Sequence, residues 1–420
     1  MATVEEFEGW LRKGLGRTVI HLKSHDGISY REALLNACIL NVAYDSQSEG
    51  SREEYLKEII RASGQESFIR DGMIQALSPE EIDTERVDLD QMIAVARMFA
   101  ERGDIAVKSA MYDALRRVGF EQMGECYTDL IALDGIDALM IASEDFPDAM
   151  NEYAVWIVDE LLAALEARDG PAEAHRAIYE ALHESPKLSI VADRVGRAEE
   201  KRAFIDETDG WDYALLNAKI QSSTKLLHLS RWGQSASAEE LKAAAIDLNA
   251  ESNRSRLLSY LTIFRKAAFP GPIGRLLELA ESDDHRLAWG AIQILATMSD
   301  PRIRSLLLRL LGEWGTCGRA VELMIGNFCE GDFSLIEQLL HETHDPDVWH
   351  SIGIGVRHLV KKHSLPESVG CLLFLYEHGP CALCRGELVE YLLKLDAMPS
   401  WMRGECMFDS DRETRKLVMS

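Results

Sequence analysis

Apolar residues recur at three- and four-residue spacing along almost the whole chain, and no stretch shows the alternating, Val/Ile/Thr-rich order of a half-buried strand. That periodicity restricts the fold to an all-α one. Punctuation agrees with it. Ser51-Arg-Glu-Glu54 and Ser237-Ala-Glu-Glu240 have the Ser-x-x-Glu order of a capping box, and Ser78-Pro-Glu-Glu81 adds Pro at the first helical position. Gly64, Gly103, Gly119 and Gly170 stand where helices should stop, because a left-handed cap costs glycine least.

A chain of 420 residues with 47% hydrophobic content can bury a large core, enough for two or three domains or one long array of helix pairs. The longest apolar run, Val369 to Tyr376, is far short of the ~18 residues of a membrane helix. The opening residues, Met1 to Glu8, are acidic and unlike a secretory signal. A cytosolic protein without a membrane partner is therefore expected, with eight cysteines that are reduced core residues rather than a disulfide frame.

The formal charge of −25 is unevenly spread. Residues 1–253 hold 26 Lys+Arg against 48 Asp+Glu, whereas residues 254–420 hold 19 against 22. So acidic a first part repels phosphate backbones, which disfavours nucleic acid as a partner and favours a basic protein surface there. Nucleic-acid binding stays open only for the near-neutral second part.

The second half also repeats. From Glu278 to Arg302 the order is the end of a helix, the acidic turn Ser282-Asp-Asp284, a helix opening with Arg286, then Asp300-Pro301 starting the next pair. Comparable opening positions are Arg254, Arg286, Arg319, His350, Arg385 and Arg415, spaced by 32, 33, 31, 35 and 30 residues. This pattern resembles the short HEAT repeats of phycobilisome-lyase-like proteins, most clearly over 237–420. The resemblance implies an α-solenoid of helix pairs, with residues 1–236 as a divergent, acidic helical region of similar texture at Asp26–Leu35 and Glu101–Leu115. Its period is shorter than the ~40–47 residues of long HEAT and armadillo units. The turn-rich interval from Ser185 to Gly210, with Arg197 to Arg202 inside it, and the segment Gly233–Ser237 are candidate breaks.

In such arrays function sits on the surface lined by one helix of each pair. Helical spacing puts Leu287, Ala291, Ile294 and Met298 on one stripe of the Arg286 helix and Arg286, Trp289, Gln293 and Thr297 on the other. The same construction selects Arg319 in the next unit, then His350, Arg357 and Lys361, close to His358, Lys362 and His363. As a contact surface these residues would engage a protein partner, since Trp and Arg are favoured interface anchors. The competing reading makes Trp289 a seam filler and Arg286 the partner of an acidic turn in the neighbouring unit.

Few motifs point to chemistry. Cys371, His378, Cys381 and Cys384 offer four soft or borderline ligands around one Cys-x2-Cys, a partial zinc pattern. His21 and His25 share a helix face but lack the Glu of a zinc-hydrolase motif. Asn36, Asn41, Tyr44, Asp45, Glu49 and Arg52 form either a ligand pocket or a structural polar tie. Phosphate loops, nucleophile elbows and kinase signatures are absent. The expected function is a non-catalytic, cofactor-free protein-binding scaffold or adaptor. A lyase-like enzyme accessory handling a cofactor-bearing protein is the alternative.

Overall fold

The computed structural model describes residues 2–78, 88–120, 124–147, 149–195, 208, 210–222, 226, 228–312 and 316–419. Among them are 27 α-helices and four short 3-10 turns, with no strand, so the all-α expectation holds. No described helix is long and apolar enough to cross a membrane. Pro79 to Glu81 of the helix start expected at Ser78, and the charged segment Arg197 to Arg202, lie outside the described residues.

Several helix boundaries follow the local chemistry, but Gly119 and Gly170, with φ 83° and 86° and extended ψ, do not form the expected left-handed caps. Ser237 and Glu240 form the full capping box that opens Ala238–Ala250. Gly64 is left-handed, with φ 66°, after Glu53–Ser63. At Ser51 the box does not form: the helix starts at Glu53, Arg52 is its N-cap, and the Ser51 hydroxyl donates to Glu53 instead. Thr3 and Glu6 make an additional box at the start of Val4–Lys13.

Two compact units make up the chain. The first takes in Met1–Lys201, Cys381–Leu383 and Ser400–Ser420; the second takes in Arg202–Pro380 and Cys384–Pro399. In the first, helices Arg17–Ser24, Glu53–Ser63, Leu89–Ala100, Tyr127–Asp134 and Glu152–Asp169 each pack on the next of that series. Leu89–Ala100 is buried along most of its length, with Met92, Ile93 and Val95 fully buried and Asp90 exposed. Burial of each such side chain contributes about 1.5–3 kcal/mol. The second unit repeats the arrangement through Leu229–Ser235, Arg254–Ile263, His285–Leu295, Cys317–Leu323 and Pro346–Lys362.

Polar ties join elements 26 to 34 residues apart along the chain in both units. Arg70 to Asp104, Arg97 to Asp129 and Lys108 to Asp134 are ion pairs of 2.6 Å in the first. Arg304 to Asp332 at 2.7 Å and Arg357 to Glu387 at 2.5 Å belong to the second. Asp104 and Asp332 sit at the openings of Ile105–Val118 and Asp332–Glu342; the Asp104 carboxylate also accepts from two orphan N–H groups of its helix, whereas that of Asp332 accepts from the Cys329 amide ahead of its helix. Asp104 thus holds a helix start and the neighbouring Arg70 together.

Residues 400–420 close against the first helices of the first unit. Arg17 Nε pairs with Glu405 at 2.8 Å, and the Ser410 amide donates to the Gly14 carbonyl at 2.9 Å. Backbones approach closely here: a Cβ on Gly16 would lie 1.9 Å from the Glu405 carbonyl oxygen.

Candidate functional site

The surface expected in the second unit rests on three successive helices. His285–Leu295 is started by Asp284, whose carboxylate accepts from the Arg286 and Leu287 amides at 3.0 and 3.3 Å. Leu287, Ala291 and Ile294 are buried, Trp289 and Gln293 half-buried, and Arg286 exposed. Met298 lies beyond the helix end at Leu295 and is only half-buried, so the apolar stripe is one turn shorter than the spacing suggests. The acidic turn does hold a cation, but it is Arg254, at the start of Arg254–Ile263, that pairs with Asp284. That guanidinium, with the two amides, keeps the Asp284 carboxyl below its usual range. Arg286 makes no ion pair among the described residues.

Arg319, half-buried on Cys317–Leu323, borders a cavity of about 410 Å³ with Glu281, Asp283, His285 and Thr316. Burial holds its guanidinium below the ordinary arginine range. His350, Arg357 and Lys361 share one face of Pro346–Lys362, because steps of seven and four residues return to nearly the same angle. Two of them meet Ala382–Lys394: Arg357 donates to Glu387 at 2.5 Å, and His350 Nε2 lies 3.4 Å from Cys384 Sγ. Lys361 is exposed. His358 turns elsewhere and bonds Glu322 at 2.8 Å, a contact that holds the imidazole above its usual range.

The four-residue zinc pattern is not assembled as spelled. The Cys371 thiol, fully buried, donates to the Phe333 carbonyl at 3.3 Å, and burial pushes it up to about 12. The His378 ring packs on Phe374 at 4.4 Å and on Trp349 at 5.5 Å. His21 and His25 are likewise engaged: their rings stack 4.1 Å apart, His21 Nε2 meets the Tyr30 hydroxyl at 3.0 Å, and His25 Nδ1 meets the His21 carbonyl at 3.0 Å. Burial, then the neighbouring His25, lowers the pKa of His21.

In the first unit, Asn36 is exposed, whereas Asn41 fastens its loop by donating to the Gly50 carbonyl at 3.1 Å and accepting from the Ala43 amide at 3.2 Å. Glu49 and Arg52 form a buried ion pair, and Arg52 Nη1 reaches the Leu11 and Arg12 carbonyls at 3.1 and 2.8 Å, capping the end of Val4–Lys13. Beside this pair lies a cavity of about 280 Å³, bordered also by Tyr55, Ser410, Asp411 and Arg415. Two of its charged side chains bond nearby backbone: Asp411 accepts from the Thr414 amide at 2.7 Å and Arg415 donates to the Asp409 carbonyl at 2.6 Å. Part of the expected pocket is thus real, but its second wall comes from residues some 360 positions away, which no local spacing announces.

No family model matches the chain, and no curated protein matches it.

Proposed function

We propose that this chain is a cytosolic, HEAT-like α-solenoid that serves as a non-catalytic scaffold for a protein partner. The observation that carries the reading is the serial packing of Arg254–Ile263, His285–Leu295, Cys317–Leu323 and Pro346–Lys362, each laid on the one before. Helices stacked in this way present a continuous strip that no single pair closes over. On that strip, Arg286 extends into solvent with no ionic partner among the described residues, and Trp289 and Gln293 keep part of their surface exposed. Arg319 and Lys361 continue it. Such a combination of one aromatic and several cations suits a partner with acidic and apolar contact groups. The acidic first 253 residues would engage a basic surface of the same partner or a second one.

The test is cross-linked capture from the native host, followed by affinity measurement with the purified partner. Replacing both Arg286 and Trp289 by Ala should weaken binding by about 30-fold or more, the effect of losing an interface anchor. A partner that binds the double variant with unchanged affinity would place its contacts elsewhere and remove this surface from consideration.

A further inference from the structure

We propose that the cavity beside Glu49 and Arg52 binds a free amino acid, held through both its carboxylate and its ammonium group. All of the cavity's lining residues belong to the first unit. One wall is the loop and helix start from Glu49 to Tyr55, and another is Ser410 to Arg415, so the site is complete only with residues 400–420 in place. Its volume of about 280 Å³ falls just below the range of about 300–1,000 Å³ that suits drug-sized ligands, which sets the size class of the occupant.

Charges of both signs border this cavity without pairing. Of its four carboxylates, Glu49 pairs with Arg52 and Glu54 with Lys57. Among the described residues, Glu53 accepts only from the Ser51 hydroxyl, at 3.1 Å, and the Asp411 carboxylate only from the Thr414 amide and hydroxyl, at 2.7 and 2.6 Å. Arg412 is exposed and forms no hydrogen bond or ion pair among the described residues. Arg415 donates to the Asp409 and Ser410 carbonyls at 2.6 and 3.2 Å, and it too has no ionic partner among those residues.

Two buried polar atoms add to the unused donors. Arg52 Nε and Ser410 Oγ have no hydrogen-bond partner among the described residues. Gly14 lets these side chains approach each other, since a Cβ there would lie 1.9 Å from Ser410 Oγ and 3.2 Å from Arg52 Cζ. Arg52 is only 6% exposed, and its other nitrogens reach Glu49 and the Leu11 and Arg12 carbonyls. A buried donor without an acceptor costs free energy that a bound acceptor recovers. A purely anionic ligand would meet Glu53 and Asp411, and a purely cationic one would meet three arginines. A zwitterion suits both sets: its carboxylate takes the donors of Ser410, Arg412 and Arg415, and its ammonium group takes the carboxylates of Glu53 and Asp411.

The experiment titrates the full chain by calorimetry with each of the common L-amino acids. Any that binds is compared with its N-acetyl derivative and with the amine that lacks its carboxylate. At least one amino acid should bind at about one equivalent per chain, and both derivatives should bind about tenfold or more weakly, because each loses one charged group. Arg412→Ala should weaken binding by a similar factor while leaving the melting temperature of the unliganded chain unchanged, since Arg412 bonds nothing there. The comparison of derivatives uses the unaltered chain and decides alone if circular dichroism shows that Arg412→Ala has misfolded. Absence of binding by every amino acid up to about 10 mM overturns the proposal. So does an N-acetyl derivative or a decarboxylated amine that binds as tightly as the free amino acid, or a folded Arg412→Ala chain with undiminished affinity. None of these outcomes bears on partner binding at Arg286 and Trp289, so the two readings fail separately.

Discussion

Replacing Arg304 by Met tests whether the acidic turns hold the helix pairs together. The Asp332 carboxylate is fully buried and takes two hydrogen bonds from Arg304, at 2.7 and 2.8 Å, plus one from the Cys329 amide at 2.9 Å. Met preserves most of the aliphatic packing of the arginine stem but leaves the carboxylate with only its backbone donor. Breaking a buried pair from one side costs about 3–5 kcal/mol, and because the Arg304 side chain is 23% exposed the lower end applies. At about 2–4 °C per kcal/mol for a unit of this size, the transition of the second unit should fall by roughly 6–12 °C. The double variant Arg304→Met, Asp332→Leu should recover much of that loss, since replacing both charges by apolar groups removes the stranded carboxylate. Urea denaturation followed by far-ultraviolet circular dichroism, arranged as a double-mutant cycle, gives the coupling directly. A cost below about 1 kcal/mol for Arg304→Met, or a double variant no better than the single one, would refute the claim that this pair is a structural tie.

Gly16→Ala should destabilise the first unit by about 1–3 kcal/mol in a thermal melt, as overpacking does, because its Cβ would sit 1.9 Å from the Glu405 carbonyl; unchanged stability would show that residues 400–420 do not close there. His358 has a raised pKa through its bond to Glu322, so its contribution is fully present below about pH 6.5 and lost as pH rises through the folded value. His358→Gln should therefore melt earlier than the unaltered chain at about pH 5.5 and approach it as pH rises through the folded value, and a difference that does not shrink with rising pH would exclude the ion pair. Asn41→Leu removes both hydrogen bonds to its loop and should cost about 1–3 kcal/mol, whereas undiminished stability would make Asn41 a ligand-binding candidate again.

Local chemistry makes most helix boundaries legible in the sequence. The Ser237 box and the Gly64 cap depend on residues within four positions of each other, so spacing identifies them directly. The exception at Ser51 has a nonlocal cause: Arg52 is drawn to the end of Val4–Lys13 and to Glu49, which makes it the helix cap. Longer-range ties carry a weaker signal. An arginine ladder is visible in the recurring Arg254, Arg286 and Arg319, but spacing does not say which arginine reaches which turn, and Arg254 rather than Arg286 engages Asp284. The zinc candidates show the same limit. Cys381 and Cys384 are close in sequence, while the imidazole that meets Cys384 comes from His350, 34 residues earlier, and only helix packing brings it there.

The order in which the first unit is made differs from the order in which it is assembled. Its residues through Lys201 leave the ribosome first, and the segment from Ser400 follows only after about two hundred residues of the other unit. At a synthesis rate of about 5–20 residues per second, the interval lasts roughly 10–40 s. Throughout it, the surface around Gly14, Gly16 and Arg17 lacks the segment containing Glu405, Phe408 and Ser410 that later covers it. That surface is therefore open to premature association until residues from Ser400 are made, and slowing synthesis near Pro399 would lengthen the exposure.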